Sequence, residues 1–555
     1  MRSTSERLLL DIVDKQANPA PRDRPFFKKI LTSHWFLCGC VGLVAFALGL
    51  YRLGEPSLWF DEILSVERAS QSFITLWRIV NASEPNMALY YFILHFWLNL
   101  TAWLGFLPTE LIVRFPSALS AAGASIFVYL LAQRFLGFPI GLAVAALYTF
   151  NNLQMLYMQE ARSYALQLLF LNAGWYALTT VLTTEKHQYR NLACYVAMMT
   201  LSVYTHYFSL LIFFSQGVAL ILLYILPTRW RQRVRQLARP LLISALLIVV
   251  LVIPMLLVSR VGAQTSWIPI PTLKTVKNLF KTFANQNKTY LFSFLLLTVL
   301  GLLVAILVSV PSFKELCQRK LVFRRFASRS GQLAENLPGF EILLFCWLLL
   351  PIGVSYILTQ KSIHLFLPRY LVTVVPAFCL LAGVGLVALP WQKVRRMAVV
   401  GLTLVALAFV PQHYASAQAE EWNTASLWMK PNYQAGDGLV CFDNLKGCQI
   451  GLEYYFRVYA IPAHFDADSP GSFSYVEYDL RRPAYRPDVE QAVDVNRLQA
   501  YAAVHSRLFY IVARLPNAQE IALANTAVSW LNSHYKLLDS IQTSTVTIYL
   551  YDTGH

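Results

Sequence analysis

Arg229-Trp230-Arg231-Gln232-Arg233-Val234-Arg235-Gln236-Leu237-Ala238-Arg239 places five arginines between two long apolar runs. The side of the membrane on which this stretch lies fixes the topology of the whole chain. The chain has 555 residues, is 56% hydrophobic and only 14% charged, and has a mean hydropathy of +0.47. That composition excludes an ordinary soluble enzyme and predicts a polytopic helical membrane protein. The net charge of +16 is not a nucleic-acid signature, because it is unevenly distributed. Residues 412–555 hold 15 Asp/Glu against 10 Lys/Arg, a net of −5, which leaves +21 on residues 1–411. The excess falls in short polar segments: the Arg229 cluster, six Lys/Arg from Lys314 to Arg329, and Lys393, Arg395 and Arg396. Basic residues gathered in short loops mark the cytoplasmic side.

Apolar runs lie near 34–53, 87–107, 112–135, 138–157, 163–184, 190–206, 207–227, 240–258, 290–310, 340–359, 369–389 and 397–411. Each approaches the roughly 20 residues that a span needs. Twelve crossings would put the Arg229 cluster outside and the C-terminal domain inside, against the charge rule. One of the first seven runs therefore does not cross, and 87–107 is the candidate to lie along or dip into the outer interface. Eleven crossings put all three basic segments inside. They put outside the loop 54–86, the turn at Gln159–Arg162, Tyr204–Tyr207, the segments 260–289 and 360–368, and everything after 411. The N-terminal 33 residues, with Pro19, Pro21 and Pro25, lack the short apolar core and cleavage site of a signal peptide. The run from His34 to Leu53 is thus expected to be a retained anchor with a cytoplasmic tail before it.

The chain divides into a tail (1–33), a membrane domain (34–411) and a final 144-residue segment of different character (412–555). In that segment Gly436-Asp437-Gly438 precedes the strand-like Leu439-Val440-Cys441-Phe442, and Leu508 to Val512 is a second such run. Ala518 to Tyr535 has helical periodicity and Thr545 to Tyr551 alternates as a closing strand. This predicts a small extracytoplasmic α/β domain. Both a local disulfide and two free thiols fit the spacing of Cys441 and Cys448. There is no internal repeat, P-loop or dinucleotide fingerprint, and no Cys/His cluster has zinc spacing.

Asp61-Glu62, in Ser57-Leu58-Trp59-Phe60-Asp61-Glu62, is an acidic pair in the first outer loop, where carboxylates beside a bilayer are costly. On the eleven-span topology Glu160 shares that face, and Arg114, Arg162, His206 and Arg369 fall near outer helix ends. One or two carboxylates among cations at a bilayer surface suit a lipid-phosphate substrate. Arginine holds phosphate oxygens bidentately and neutralises a departing phosphate, while a carboxylate accepts the proton of an attacking hydroxyl. Plainer roles exist for each residue. Asp61 could cap a helix beginning near Ile63, Glu160 and Arg162 could pair structurally, and His206, Arg114 and Arg369 could be interfacial residues.

The stretches Leu58-Trp59-Phe60-Asp61-Glu62 and Asn86-Met87-Ala88-Leu89-Tyr90-Tyr91-Phe92-Ile93-Leu94-His95-Phe96-Trp97 open a series that continues in order. Arg114-Phe115-Pro116-Ser117-Ala118-Leu119, Gln159-Glu160-Ala161-Arg162-Ser163-Tyr164-Ala165-Leu166, Tyr204-Thr205-His206-Tyr207 and Pro368-Arg369-Tyr370-Leu371 follow. Together these six resemble the family 39-type membrane glycosyltransferases, relatives of the dolichyl-phosphate-mannose protein mannosyltransferases and of the aminoarabinose transferases that modify lipid A. The resemblance spans roughly residues 34–390. It implies an all-α polytopic GT-C fold with interfacial helices and a soluble C-terminal domain. It also implies a metal-independent or weakly metal-linked inverting transfer of a hexose or pentose, mannose among them, from a polyprenyl phosphate. By position Asp61 resembles the catalytic acid residue, with Glu62 beside it. Arg114, Arg162 and Arg369, with Tyr370, match positions near the donor phosphate, and Glu160 and His206 are expected to support them. Two departures stand out: Asn86-Met87-Ala88-Leu89 replaces a common His-Pro-Pro-Leu, and the phosphate-contacting Lys of the lipid A branch has no counterpart nearby. The expectation is a glycosyltransferase of the plasma (inner) membrane acting on a hydroxyl acceptor of the cell envelope. The alternative is a transporter or flippase of lipid-linked sugars, in which the same charges would line a path.

Overall fold

The computed structural model describes residues 34–82, 85–258, 265, 267–309, 321–361, 363–389, 391–416, 420–443, 447–472, 489–515 and 517–554, with the backbone alone given for 307–309 and 321–335. The expected cytoplasmic tail and the basic residues from Lys314 to Lys320 lie outside the described residues.

The chain is an all-α membrane bundle carrying a small C-terminal α/β domain. Among the described residues seven helices are long and apolar enough to cross a membrane: Glu110–Leu136, Tyr164–Thr183, Ala238–Val258, Lys288–Ile306, Asn336–Thr359, Pro368–Ala388 and Gln392–Ala415. Shorter apolar helices, Trp35–Leu50, Phe138–Thr149 and Ser209–Ile225, occupy three of the remaining runs. Gln188–Thr205 takes the place of the run 190–206.

The expected run 138–157 is divided. Asn151 accepts a hydrogen bond from Leu153 N (3.1 Å) and so starts a second helix, Asn152–Met158. The same asparagine donates to the Phe283 carbonyl (2.7 Å), which ties the break to the helix Leu273–Phe283. A second difference lies in the loop expected from Lys314 to Arg329, part of which belongs to the 39-residue helix Leu321–Thr359. Its Leu, Arg, Ala and Gln residues favour helix whether or not they are in lipid, so the helix runs on past the apolar stretch.

The helix Pro368–Ala388 runs through the centre of the bundle and is buried over its whole apolar window. An all-round apolar helix needs neighbours on every side, and here small residues admit them. A Cβ on Gly385 would sit 2.0 Å from the Leu297 carbonyl oxygen, and one on Gly383 2.4 Å from Val144. This helix holds Arg369 at one end of the bundle.

Polar contacts gather at two opposite poles. At one, Arg134 bonds Thr180, Thr183 and Thr184, Arg233 reaches Glu185, Thr184 and Gln188, and Trp230 donates to Asn336. At the other lie Asp61, Arg162, His206, Trp267, Arg369 and the C-terminal domain. The helix Ala88–Trp103 stays at this second pole. Asn86, just before it, meets His206 (3.4 Å). Mid-helix, His95 contacts the Ala69 carbonyl (2.8 Å) and Trp97 donates to the Ile112 carbonyl (2.7 Å). Beyond its end, Glu110 accepts from Tyr455 of the C-terminal domain (2.8 Å). Both ends sit at this pole, so the helix does not run from one pole to the other.

The C-terminal domain holds a four-stranded sheet in the order β1-β2-β4-β3, with β1 Gly438–Asp443, β2 Arg507–Ala513, β3 Lys536–Gln542 and β4 Val546–Asp552. β1 and β2 run parallel; β2/β4 and β4/β3 are antiparallel. Along β2 the side chains alternate between two faces. Leu508 and Tyr510 pack with Ala524 and Leu531 of the helix Ala518–His534. Phe509 and Ile511 join a core that also contains Trp422, Ile450 and Tyr455, together with Leu58, Ile63, Tyr90 and Tyr91 of the acidic-loop region. The two regions share one hydrophobic core. β3 was not expected: its side chains are largely exposed on an edge strand, so it lacks the buried alternation that betrays a strand. Cys441 and Cys448 form a disulfide.

Candidate active site

The acidic pair opens the helix Phe60–Ala69. Trp59 is the N-cap, and Glu62 Oε2 reaches back to accept its backbone N–H (3.2 Å), so the capping carboxylate is Glu62 and not Asp61. Glu62 is fully buried and Arg114 holds it by two bonds, Nε to Oε1 (2.8 Å) and Nη2 to Oε2 (2.7 Å). Ala161 N adds a third donor to Oε1 (2.7 Å). Arg114 also donates to the carbonyls of Leu53 (3.1 Å), Pro56 (2.7 Å) and Ser57 (2.9 Å). A guanidinium has five N–H donors, and these contacts use them within the protein. Through them Arg114 clamps the loop 53–62 onto the helix Glu110–Leu136.

Asp61 projects away from that clamp. Its Oδ2 lies 3.0 Å from Arg369 Nη1 and 3.5 Å from Arg162 Nη2. Arg162 also donates to the Asp61 carbonyl (3.0 Å) and to Ser65 Oγ (3.1 Å). It turns to Asp61 although Glu160 is its neighbour in sequence. Arg68, two turns along from Asp61 on the same helix face, donates to Tyr91 OH (2.9 Å). The Arg369 guanidinium stacks 5.0 Å from the Trp267 ring and 5.7 Å from Tyr370, and its Nε is buried without a hydrogen-bond partner among the described residues. Burial alone would raise the Asp61 pKa. The summed charge of Arg162, Arg369, Arg514 and Arg68 outweighs it and holds the carboxyl below the usual carboxylate range.

Glu160 behaves in the opposite way. Burial, reinforced by the charges of Glu62 and Asp61 and opposed by Arg162 and Arg114, pushes it up to about 8. Its Oε2 is buried and makes no hydrogen bond among the described residues. Two carboxyls on one surface are thus split, one ionised and one protonated at neutral pH, which is how acid–base roles separate. Glu160 lines a small cleft together with Trp59, Glu62, Arg114, Gln159 and His413. His206 is buried and packs on Tyr370 (4.9 Å) and Tyr164 (5.7 Å), with Asn86 at its Nε2. Its contacts among the described residues do not include Asp61. Among the described residues no group of three or more His, Cys, Asp or Glu is placed to hold a metal ion.

One carboxylate is held between two arginines from distant parts of the chain, at one pole of the bundle. This chain is similar to GT-C glycosyltransferases of known structure. ArnT from Cupriavidus metallidurans in the apo state aligns over 93% of this chain and 97% of its own, at 13% identity and a TM-score of 0.49. Its form bound to undecaprenyl phosphate aligns over the same shares at 12% identity and a TM-score of 0.48. The archaeal oligosaccharyltransferase AglB from Archaeoglobus fulgidus, in complex with an inhibitory peptide and a dolichol-phosphate, covers 94% of this chain and 74% of its own, at 11% identity and a TM-score of 0.42. No family model and no curated protein sequence matches the chain.

Sequence reading did not single out Glu420, Tyr455, Trp267, Arg68 or Arg514 as neighbours of the acidic pair. Arg68 had a local signal, since Asp61, Ser65 and Arg68 fall at i, i+4 and i+7. The others come from segments hundreds of residues away and had none.

Proposed function

We propose that this chain is a membrane glycosyltransferase that moves a sugar from a polyprenyl-phosphate donor to a hydroxyl acceptor of the cell envelope. Asp61 is the base, and Arg369 and Arg162 hold the donor phosphate. The convergence of these two arginines on one carboxylate carries the proposal. In the resting site Arg369 is spent on Asp61. A donor phosphate competes for that guanidinium, and its arrival both anchors the donor and frees the carboxylate to take a proton. The acceptor hydroxyl then attacks the anomeric carbon while its proton passes to Asp61. The bond from that carbon to the phosphate oxygen breaks, and the electron pair leaves with polyprenyl phosphate. The two arginines stabilise the charge gathering there.

In this reading Glu62 and Arg114 are a scaffold. Glu160, kept protonated, spares Asp61 a second negative neighbour, and Tyr370 and His206 shape the wall beside Arg369. The basic pole faces the cytoplasm, so the site and the C-terminal domain face outward from the plasma (inner) membrane. Mass spectrometry of cell-surface glycans, lipids and proteins, with the gene intact, deleted or carrying Asp61→Asn, names the sugar and the acceptor. Deletion and Asp61→Asn are expected to remove the same modification, with transfer by the variant down on the order of 10²–10⁴-fold. An unaltered product from Asp61→Asn overturns the base assignment. Lipid-linked sugar that changes leaflet with no transfer product supports the transporter alternative instead.

A further inference from the structure

The C-terminal domain reaches the acidic loop with more than apolar contact. Glu420, at the start of that domain, accepts from Phe60 N (2.9 Å) and Trp422 Nε1 (2.5 Å) through Oε2, and its carbonyl accepts from Ser57 Oγ. Tyr455 OH accepts from Leu58 N (2.7 Å) and donates to Glu110. Three anchor points, at Ser57, Leu58 and Phe60, are therefore held from outside the membrane domain, just before Asp61.

Glu420 is itself held by Arg514, whose Nε lies 3.1 Å from Oε1. Arg514 follows the last residue of β2 and has a left-handed backbone (φ +54°). A non-glycine residue in that region carries local strain, and the sheet holds it there. Its guanidinium lies 5.6 Å from the Phe60 ring. On its other side it passes Gly447 so closely that a Cβ there would stand 2.1 Å from Nη1. Gly447 opens the helix that begins beside the Cys441–Cys448 disulfide, and Cys448 N donates to Asp443 Oδ2 (2.8 Å). The absence of a side chain at 447 leaves the room that the arginine occupies.

We infer that Arg514 is a positioning residue of the transfer site: through Glu420 and Phe60 it sets the helix end from which Asp61 projects, which makes the C-terminal domain part of the catalytic unit. The inference rests on the reading of Asp61 as the base. The guanidinium also acts at a distance, since its charge is one of four that favour the ionised Asp61. Asp61 is faced by Arg68 from its own helix, Arg162 and Glu160 from the turn before Tyr164, and Tyr164 itself. Arg369 faces it from the central helix, and Glu420 and Arg514 from the C-terminal domain. Loss of one cation from this set raises the Asp61 pKa, so a base that must be ionised is lost at a higher pH.

The test is the pH profile of kcat/KM for transfer by the full chain in lipid nanodiscs. The donor is polyprenyl-phosphate mannose or the sugar named by the mass comparison. Arg514→Gln is expected to move the acidic limb up by about half a pH unit and to lower kcat/KM several-fold below it. Arg514→Lys is expected to return the limb toward its original position. Gly447→Ala keeps the charge but pushes it aside, and is expected to give a smaller shift in the same direction. An unmoved limb in Arg514→Gln, or no rescue by lysine, overturns the inference. Asp61→Asn measured alongside separates the two claims, because full turnover there sinks the base assignment itself.

Discussion

Arg369 Nη1 lies 3.0 Å from Asp61 Oδ2 across 308 residues of chain. Each residue has a plain local explanation, one as a helix-start carboxylate and the other as an interfacial arginine. Their pairing removes both explanations. An arginine reaching for lipid headgroups has no reason to fold onto a carboxylate, and a capping carboxylate would face its own helix. The capping contact belongs to Glu62.

Arg369→Ala is expected to raise the KM for the donor on the order of 10–100-fold, the worth of one or two hydrogen bonds to a charged group. Arg369→Lys should recover part of it, because an ammonium keeps the charge but loses the bidentate fork and the stack on Trp267. Initial rates over a donor concentration series read this directly. An unchanged KM with a fallen kcat would place Arg369 elsewhere in the reaction.

Arg114→Ala is expected to act on folding rather than on donor affinity. It leaves Glu62 buried without its cation, a change worth ~3–5 kcal/mol, and should lower the thermal midpoint of the protein in detergent sharply. Replacing the pair together, Glu62→Leu with Arg114→Met, should restore much of that loss. A folded Arg114→Ala protein with only a raised donor KM would return this arginine to the phosphate.

Glu160 gives the protein a pH-dependent stability. Its folded pKa of about 8 stands above its ordinary 4.5, so between those values the folded state binds the extra proton. Stability attributable to this group therefore falls as pH rises from 4.5 to about 8. Glu160→Gln removes the titration. Thermal midpoints measured at intervals from pH 5 to 9 should decline less in Glu160→Gln than in the unaltered protein. Parallel declines would assign the slope to other groups.

Sidedness is checked by labelling single cysteines in a background whose free cysteines are serine. Lys277→Cys, on the exposed face of the helix Leu273–Phe283 at the Asp61 pole, should react with an impermeant maleimide in intact cells. Tyr189→Cys, 82% exposed beside the basic pole, should react only after permeabilisation. The reverse pattern inverts the topology.

Much of the fold was legible because bilayer thickness and charge asymmetry act on stretches of sequence. Charge parity asks that one of the first seven runs not cross, and 87–107, which follows the acidic loop, is the candidate; the contacts of Asn86, His95, Trp97 and Glu110 keep its helix at one pole. Where polarity was a poor guide, the reading failed. Residues 321–329 continue a helix beyond the apolar run because helix propensity does not end with hydrophobicity. The strand β3 stayed hidden because its side chains face outward.

The sequence by itself determined a helical membrane protein with an acidic pair in its first loop, a separate C-terminal α/β segment and a set of candidate arginines. Only the tertiary structure decided which carboxylate each arginine serves. Arg114 closes on Glu62 as a buried clamp, while Arg162 and Arg369 meet at Asp61 and Arg514 steadies the helix end from the far domain. Hydropathy and loop charge are one-dimensional properties, written along the chain at the scale of a span. A guanidinium chooses its partner within about 3 Å, and that choice belongs to residues brought together by packing.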